Sequence, residues 1–503
     1  MTISCPTSAN ENLLFFFSLL LPFLLFKLRQ LDGKGKLNLP PSPPKLPVIG
    51  NLHQLGRLPH RSLRVLSSKY GPLMLLHLGH VPTLVVSSAE MAREIMKNHD
   101  IVFSNRPKTT AANIFTYGCV NVGFAPYGDY WKHVKKVTLL QFLSPKRVQS
   151  FQFVREEEVT LLVNQIQEAC LSKSLVNLTD MLLAVSSNIS SRCVFGKKTE
   201  VKDGKSTFGE LSRRMAMQVT AFSFGDFFPS LGWMDNLTGL IASLKATSRA
   251  VDALLDQLIE EHKILNVDEN DDKKDLLHIL LKLQKEGMLE IELTQDNLKA
   301  VILDMFVGGT DTAATIQEWA MAELVKNPSI MKKAQEEVRR VVGKKSKVDE
   351  TDITQMQYLQ CIIKETLRLH APIPLLGPRQ TSASVKLEGY DIPLKTTVYV
   401  NIWAIQTDPK LWDQPKEFLP ERFMKNPIDF KGQDFQFIPF GGGRRGCPGM
   451  TFGIAAVECV IANLLYHFNW ELPCGKSRID LDMSEVHGFT VHKKFPLLLV
   501  PTV

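Results

Sequence analysis

The run FGGGRRGCPG at residues 440–449 restricts this chain more than any other stretch. It packs five glycines, two arginines and one cysteine into ten residues. Glycine tolerates positive φ and close backbone approach, so such a run is a shaped loop. Two readings compete for it. Gly441-x-Gly443-x-x-Gly446 fits a dinucleotide-binding fingerprint. In that reading FQFIPF is a strand before the loop, MTFGIAAVECVIANLLYHF a helix after it, and NWEL a second strand ending at Glu471. A pyrophosphate would then sit at the helix N-terminus. However, too little chain follows to build a doubly wound sheet, and the preceding chain shows no βαβα alternation. The second reading uses more of the residues. Glycines bring backbone N–H groups up to a single thiolate, Cys447, and so tune its electron donation. Pro448 suits the first turn of the following helix, whose positive end favours the anion. One cysteine ligand beside Arg444 and Arg445 suits haem, whose propionates need cations.

The rest of the chain sets the context. With 503 residues, 44% of them hydrophobic, it buries a large core, and length alone points to about three domains. A net charge of +7 with 22% charged residues is too small an excess to indicate nucleic acid. No aromatic- and arginine-rich binding module occurs either. The eight cysteines, at 5, 119, 170, 193, 361, 447, 459 and 474, form no C-x-x-C pair and no zinc spacing. They point to a reduced compartment and, outside Cys447, to small core residues.

Residues 13–28 are apolar except for Ser18 and Lys27. Such a helix is ~24 Å long, short against a ~30 Å bilayer core, and snorkelling by Lys27 and Arg29 extends it. A cleaved signal peptide is the alternative, but no basic segment precedes the run and no small-x-small site ends it. Positive charge follows it instead, which places the body in the cytosol. No second long apolar run appears, so one span is expected. The proline-rich stretch 39–51 reads as a stiff, extended spacer. Next come a strand pair, LMLLHL and TLVVSS, and a capping box from Ser87 to Glu90. Helical periodicity dominates from 130 to about 345, interrupted by a solvated charged run at 268–275. Strand-like VKLEGYDI and TTVYVNIW follow. The aromatic stretch 222–240 reads as a packed turn or as a membrane-dipping loop.

DMFVGGTDTAAT (304–315) lies within a helical stretch, where two glycines cost ~1 kcal/mol each against alanine. A helix C-cap at Gly308 is one explanation. The helical pattern continues beyond it, so space for a ligand is the better one. Gly308 and Thr312 share a face, and a hydroxyl beside a carboxylate can relay protons.

Phe440-x-x-Gly443-x-Arg445-x-Cys447-x-Gly449 resembles the haem-ligand signature of the cytochrome P450 superfamily. Together with YGDYW, FLPERF and the proline-rich hinge, it makes essentially the whole chain similar to the large plant family of microsomal members. The resemblance implies a mainly α fold with a small β portion and one catalytic domain rather than three. The divisions are an anchor at 1–30, a basic and proline-rich hinge at 31–51 and a haem-thiolate domain at 52–503. It implies haem b (iron protoporphyrin IX) with Cys447 as the axial iron ligand. Arg445, Trp131, Lys135, Arg379, Phe440 and Gly449 would bind that cofactor. Relatives usually carry arginine at the place of Lys135, and lysine lacks its bidentate fork. Asp311 and Thr312 correspond to the acid-alcohol pair, followed here by Ala313 where relatives often have Ser or Thr. Glu365, Arg368 and Arg422 would form a buried structural triad. Gly308, Gly309, Ile373, Leu375 and Phe489 would line the substrate pocket.

The implied activity is insertion of one oxygen atom from dioxygen into a small lipophilic metabolite, a terpenoid, phenolic, alkaloid or oxime. Electrons would come from NADPH through a separate NADPH–cytochrome P450 reductase. The implied location is the endoplasmic reticulum membrane, single-pass, with the catalytic domain facing the cytosol. Dehydration or rearrangement without net oxygenation, and a non-enzymatic membrane haem protein, are the alternatives.

Overall fold

The helical periodicity beyond residue 130 becomes a set of long helices in the computed structural model. It describes residues 37–198, 201–202, 205–264, 275–287, 292–473 and 477–503. The expected anchor at 13–28 and most of the charged run at 268–275 lie outside the described residues. The elements that position the site are α1 (Pro59–Tyr70), β1 (Leu73–Leu78), β2 (Val81–Val86), α2 (Asp129–Gln141), α3 (Leu178–Phe195) and α4 (Gln295–Lys326). They are followed by α5 (Gln357–Leu369), β3 (Arg379–Gln380), β4 (Thr397–Val400) and α6 (Met450–His467).

The 32-residue helix α4 is the axis of the molecule. Thr294 and Asn297 close a capping box at its start. Leu298, Ile302, Phe306, Trp319, Ala320 and Leu324 are fully buried on it. A helix that is apolar nearly all round belongs inside a protein, and α3 and α6 pack against it. It runs unbroken through Gly308 and Gly309, so neither glycine ends it. Among the described residues, α6 alone is long and apolar enough to cross a membrane. Its Val460, Ile461, Ala462, Leu464 and Leu465 are fully buried, so it is a core helix.

The main sheet has the order β1-β2-β4-β3. β1 pairs antiparallel to β2, with Leu75 opposite Leu84. β4 joins β2 in parallel, with Val85 opposite Tyr399, and β3 runs antiparallel to β4, with Arg379 opposite Val398. The sheet thereby delivers Arg379 to the site.

Two local expectations change, the capping box and the extended spacer, and two open readings, FQFIPF and the 222–240 stretch, are decided. Ser88, not Ser87, caps the helix at Ala89, accepting from Met91 N–H. Ser87 instead continues the sheet, its N–H donating to Pro72 C=O. FQFIPF is not a strand. Phe437 N–H turns back to Asp434 C=O, Ile438 N–H donates to Gln406 Oε1, and Phe437 packs among Trp412, Phe423 and Phe430. The C-terminal half of the 39–51 stretch is pinned rather than extended. Gly50 bridges to Leu46 and Leu78, and Asn51 Nδ2 donates to the carbonyls of Pro43 and Pro44. The 222–240 stretch is a packed turn in its interior, where buried Asp235 accepts from Ser223 Oγ and from the N–H groups of Phe224 and Gly225. Its Phe222, Trp233 and Leu237 remain exposed.

Candidate functional site

The loop at 440–449 is held by its own backbone. Cys447 N–H donates to Phe440 C=O at 2.9 Å, and Gly446 N–H to Gly443 C=O at 3.0 Å. Gly443 has φ +65°, and a Cβ there would lie 2.2 Å from Met96 C=O. Only glycine fits that approach. Gly449 is the N-cap of α6, so Pro448 stands one residue ahead of the cap rather than in the first turn. Gly449 N–H donates to the Cys447 sulfur. Burial pushes the Cys447 thiol up, while the Gly449 N–H and the Lys135 charge pull it back down. Its accessible surface opens into a cavity beneath α4.

Four cations line that cavity: Arg106, Lys135, Arg379 and Arg445. Arg445 donates to the carbonyls of Ser104 at 2.7 Å, Val122 at 3.2 Å and Ala125 at 2.5 Å. Its guanidinium lies 4.2 Å from the Trp131 ring centroid. Arg379 donates to Gly442 C=O at 2.8 Å and reaches Asp100 Oδ1 at 3.4 Å. Arg106 donates to Gly123 C=O at 3.1 Å and Pro378 C=O at 2.5 Å. Lys135 stands 5.1 Å from the Trp131 ring centroid and donates to Arg444 C=O. Burial, then the charge of Arg379, lowers Arg445 to about 9. Burial and the neighbouring guanidiniums also lower Arg106 and Lys135.

Among the described residues, Arg379 alone of these four makes an ion pair, to Asp100. Buried charge without a counter-charge is costly, so this wall fits an anionic ligand. A lone cysteine sulfur with surplus cations beside it fits haem, whose iron takes the thiolate and whose two carboxylates take the cations. Among the described residues no His/Cys/Asp/Glu cluster offers a rival metal site.

The opposite wall comes from α4 and from two later segments. A Cβ at Gly308 would meet nothing within 4 Å, so Gly308 faces open space. Thr312 lines the cavity, its Oγ1 donating to Gly308 C=O at 2.6 Å. Gly309 also borders the cavity, but its lack of a side chain serves packing, because a Cβ would lie 2.9 Å from Ser190 Oγ on α3. Asp311 is not on the wall; its Oδ2 accepts from Thr490 Oγ1 at 2.5 Å. Ile373 and Phe489 line the cavity, as do Phe440 and Gly449. Leu375 does not. It packs against the cluster of Leu63, Met74 and Leu76, and Leu376, at φ +50°, turns into the cavity instead.

Behind the site, Glu365 accepts from Arg368 Nε and Nη2, each at 2.7 Å, and from Arg422 Nε at 3.0 Å. Sequence reasoning missed Arg106 and Asp304. Arg106 carries no spacing cue. Asp304 does, since Asp304, Gly308 and Thr312 recur every four residues on one helical face.

The sequence model of the family described as Cytochrome P450 matches residues 40–500. The chain is 54% identical to a phenylacetaldehyde oxime monooxygenase of Prunus mume, covering 95% of this chain and 93% of that one. It is 55% identical to cytochrome P450 71A1 of Persea americana, over 90% and 91% of the two chains. Among solved structures, a zebra fish cytochrome P450 with abiraterone superposes with a TM-score of 0.75 at 26% identity, covering 89% of this chain and 99% of that one.

Proposed function

Since this chain belongs to the cytochrome P450 family and is a monooxygenase of that family, we propose that it oxygenates a small lipophilic specialised metabolite. An oxime is the first candidate among the terpenoid, phenolic, alkaloid and oxime classes, because a relative named for phenylacetaldehyde oxime is 54% identical. Electrons come from NADPH through a separate NADPH–cytochrome P450 reductase. One observation carries the reading: Cys447 opens into a cavity with four cations on one wall, of which Arg379 alone is ion-paired among the described residues, and the Gly308–Thr312 face on the other.

Haem bound there supplies oxygen activation, pushed by the thiolate. The chain does the rest. Cys447 ligates the iron. Arg445, Arg379, Lys135 and Arg106 would hold the two carboxylates, and Trp131, whose Nε1 donates to Val122 C=O, backs Arg445 and Lys135 with its ring. Thr312 Oγ1 holds a proton beside the groove left by Gly308, and Asp311, fixed by Thr490, stands one residue away. Val122, Phe124, Ile373, Leu376 and Phe489 exclude water and orient an apolar substrate. Glu365, Arg368 and Arg422 lock the core behind the site.

The same proposal divides the chain into an anchor at 1–30, a hinge at 31–51 and a catalytic domain at 52–503, with the enzyme held on the endoplasmic reticulum membrane and its catalytic domain facing the cytosol. The surface supports this. Gly79, in the β1–β2 turn, donates to Ile49 C=O, and its neighbour His80 donates to Phe227 C=O. The turn thereby draws exposed Val48 and Ile49 toward Phe227, whose ring stacks at 5.3 Å on that of exposed Phe222. Such a patch suits a membrane surface.

The test is turnover of phenylacetaldehyde oxime with NADPH, reductase and ¹⁸O-labelled dioxygen. One labelled oxygen in the product is expected, the second leaving as water. NADPH-independent turnover without any label would replace the reading with dehydration or rearrangement.

A further inference from the structure

Asp304 lines the cavity one turn before Gly308, yet nothing in the oxygen chemistry uses it. Its carboxylate accepts from Asn121 Nδ2 at 2.6 Å and from Gly123 N–H at 3.0 Å, and Val122 N–H adds a third donor. Asn121 Oδ1 in turn accepts from Phe124 N–H at 3.1 Å. The carbonyls of the same segment serve the cations. Val122 C=O accepts from Trp131 Nε1 at 2.9 Å and from Arg445 Nη1 at 3.2 Å. Gly123 C=O accepts from Arg106 and Ala125 C=O from Arg445. Residues 121–125 belong to no helix or strand. They are suspended between a half-buried carboxylate that takes their N–H groups and half-buried guanidiniums that take their C=O groups. Val122, Gly123 and Phe124 are themselves cavity wall.

We infer that Asp304 is a positioning residue that latches segment 121–124 to α4 and thereby sets the shape of the substrate side of the cavity. Ionised acceptors make the stronger hydrogen bonds, and a carboxylate has room for three donors where a neutral amide has fewer acceptor sites. Burial pushes Asp304 up to about 6, with its donors pulling it back, so it is mostly ionised at neutral pH. Two titratable groups stand around it. Tyr130 on α2 is raised to about 12, first by burial and also by the Asp304 charge, and donates to Val120 C=O. Arg106 acts from the other side of the segment through Gly123 C=O.

The test is amide hydrogen exchange of residues 121–124 in the haem-loaded enzyme at pH 7.5, with no substrate present. Asp304→Asn sets an NH₂ group against at least one of the three donors, and exchange should accelerate about tenfold, the loss expected for one charged hydrogen bond. The reciprocal pair, Asp304→Asn with Asn121→Asp, keeps the net charge and restores donor to acceptor, and should return exchange to within about threefold of native. Spectral binding of phenylacetaldehyde oxime should weaken in the single variant and recover in the pair. Unchanged exchange in Asp304→Asn, or a reciprocal pair that exchanges as fast as the single variant, overturns the latch. If Asp304→Asn yields no folded protein, Asn121→Ala removes the 2.6 Å bond from the loop side; it should accelerate exchange, and unchanged exchange there overturns the latch equally. The substrate step alone rests on the proposed function. Failure of the oxime to bind native enzyme counts against that substrate, while the exchange data still decide the latch.

Discussion

Glu365→Gln is the perturbation whose size follows most directly from the geometry. The Glu365 side chain is 0% exposed, as is that of Arg368, and Arg422 is 11% exposed. Glu365 Oε1 accepts from Arg368 Nη2 at 2.7 Å, from Leu419 N–H at 2.9 Å and from Arg422 Nε at 3.0 Å. Oε2 accepts from Arg368 Nε at 2.7 Å. The best that glutamine can do is keep its oxygen at the first position. Its NH₂ then faces Arg368 Nε, donor against donor, and two enclosed guanidiniums lose their shared counter-charge. Removing one partner of a buried ion pair costs about 3–5 kcal/mol. Unfolding entropy of ~2.1 cal/mol/K per residue comes to about 1 kcal/mol/K for a chain of this length. The melting temperature should therefore fall by about 3–5 °C in calorimetry of the haem-loaded protein at one scan rate. Lys332→Ala is the control. Its pair with Glu336 spans 3.9 Å at 79% and 66% exposure, and it should move the midpoint by less than about 1 °C. A Glu365→Gln midpoint within 1 °C of native would show that Glu365 is not the counter-charge that holds the two guanidiniums.

Other outcomes follow from the same structure. Lys135→Arg should retain haem at least as well as native, and Lys135→Ala less well, because one charge-assisted bond to a carboxylate is lost. Haem transfer to apomyoglobin reads this, and equal rates for all three would mean that Lys135 does not hold the cofactor. Thr312→Ala should keep haem but divert NADPH electrons to peroxide, since the hydroxyl beside Gly308 is gone; unchanged product per NADPH would remove Thr312 from proton delivery. Burial pushes Glu485 up, but His60 and Arg61 outweigh it and hold the carboxyl at about 2, against an ordinary value of 4.5. A depressed acid contributes stability above its unfolded value and loses it as pH falls through its folded one. The window is therefore about pH 4.5 down to 2, and the loss about 3 kcal/mol. Urea midpoints should fall across that window in native protein and less steeply in Glu485→Gln; parallel slopes would exclude the clamp.

What was legible in the sequence was what local chemistry determines. The glycine loop names Cys447 because only a shaped backbone needs Gly443 at positive φ against Met96. The four-residue recurrence of Gly308 and Thr312 needs only helical geometry, and the same recurrence already contained Asp304. What was not legible depends on which side of a chain turn a residue falls. Leu375 and Leu376 are equally apolar neighbours, and the left-handed turn at Leu376 decides which one enters the cavity. FQFIPF has strand composition, but Gln406 and an aromatic cluster hold it in turns. Arg106 becomes a site residue only because Gly123 and Pro378, far apart in the chain, bring their carbonyls to it.

One spectrum decides whether Cys447 is the thiolate ligand of the iron. Reduced enzyme under carbon monoxide should show the red-shifted Soret band of a thiolate–carbonyl complex. Cys447→His, confirmed as folded and haem-containing, should lose that band and absorb at the shorter wavelength of imidazole ligation. Persistence of the red-shifted band in Cys447→His would contradict the assignment.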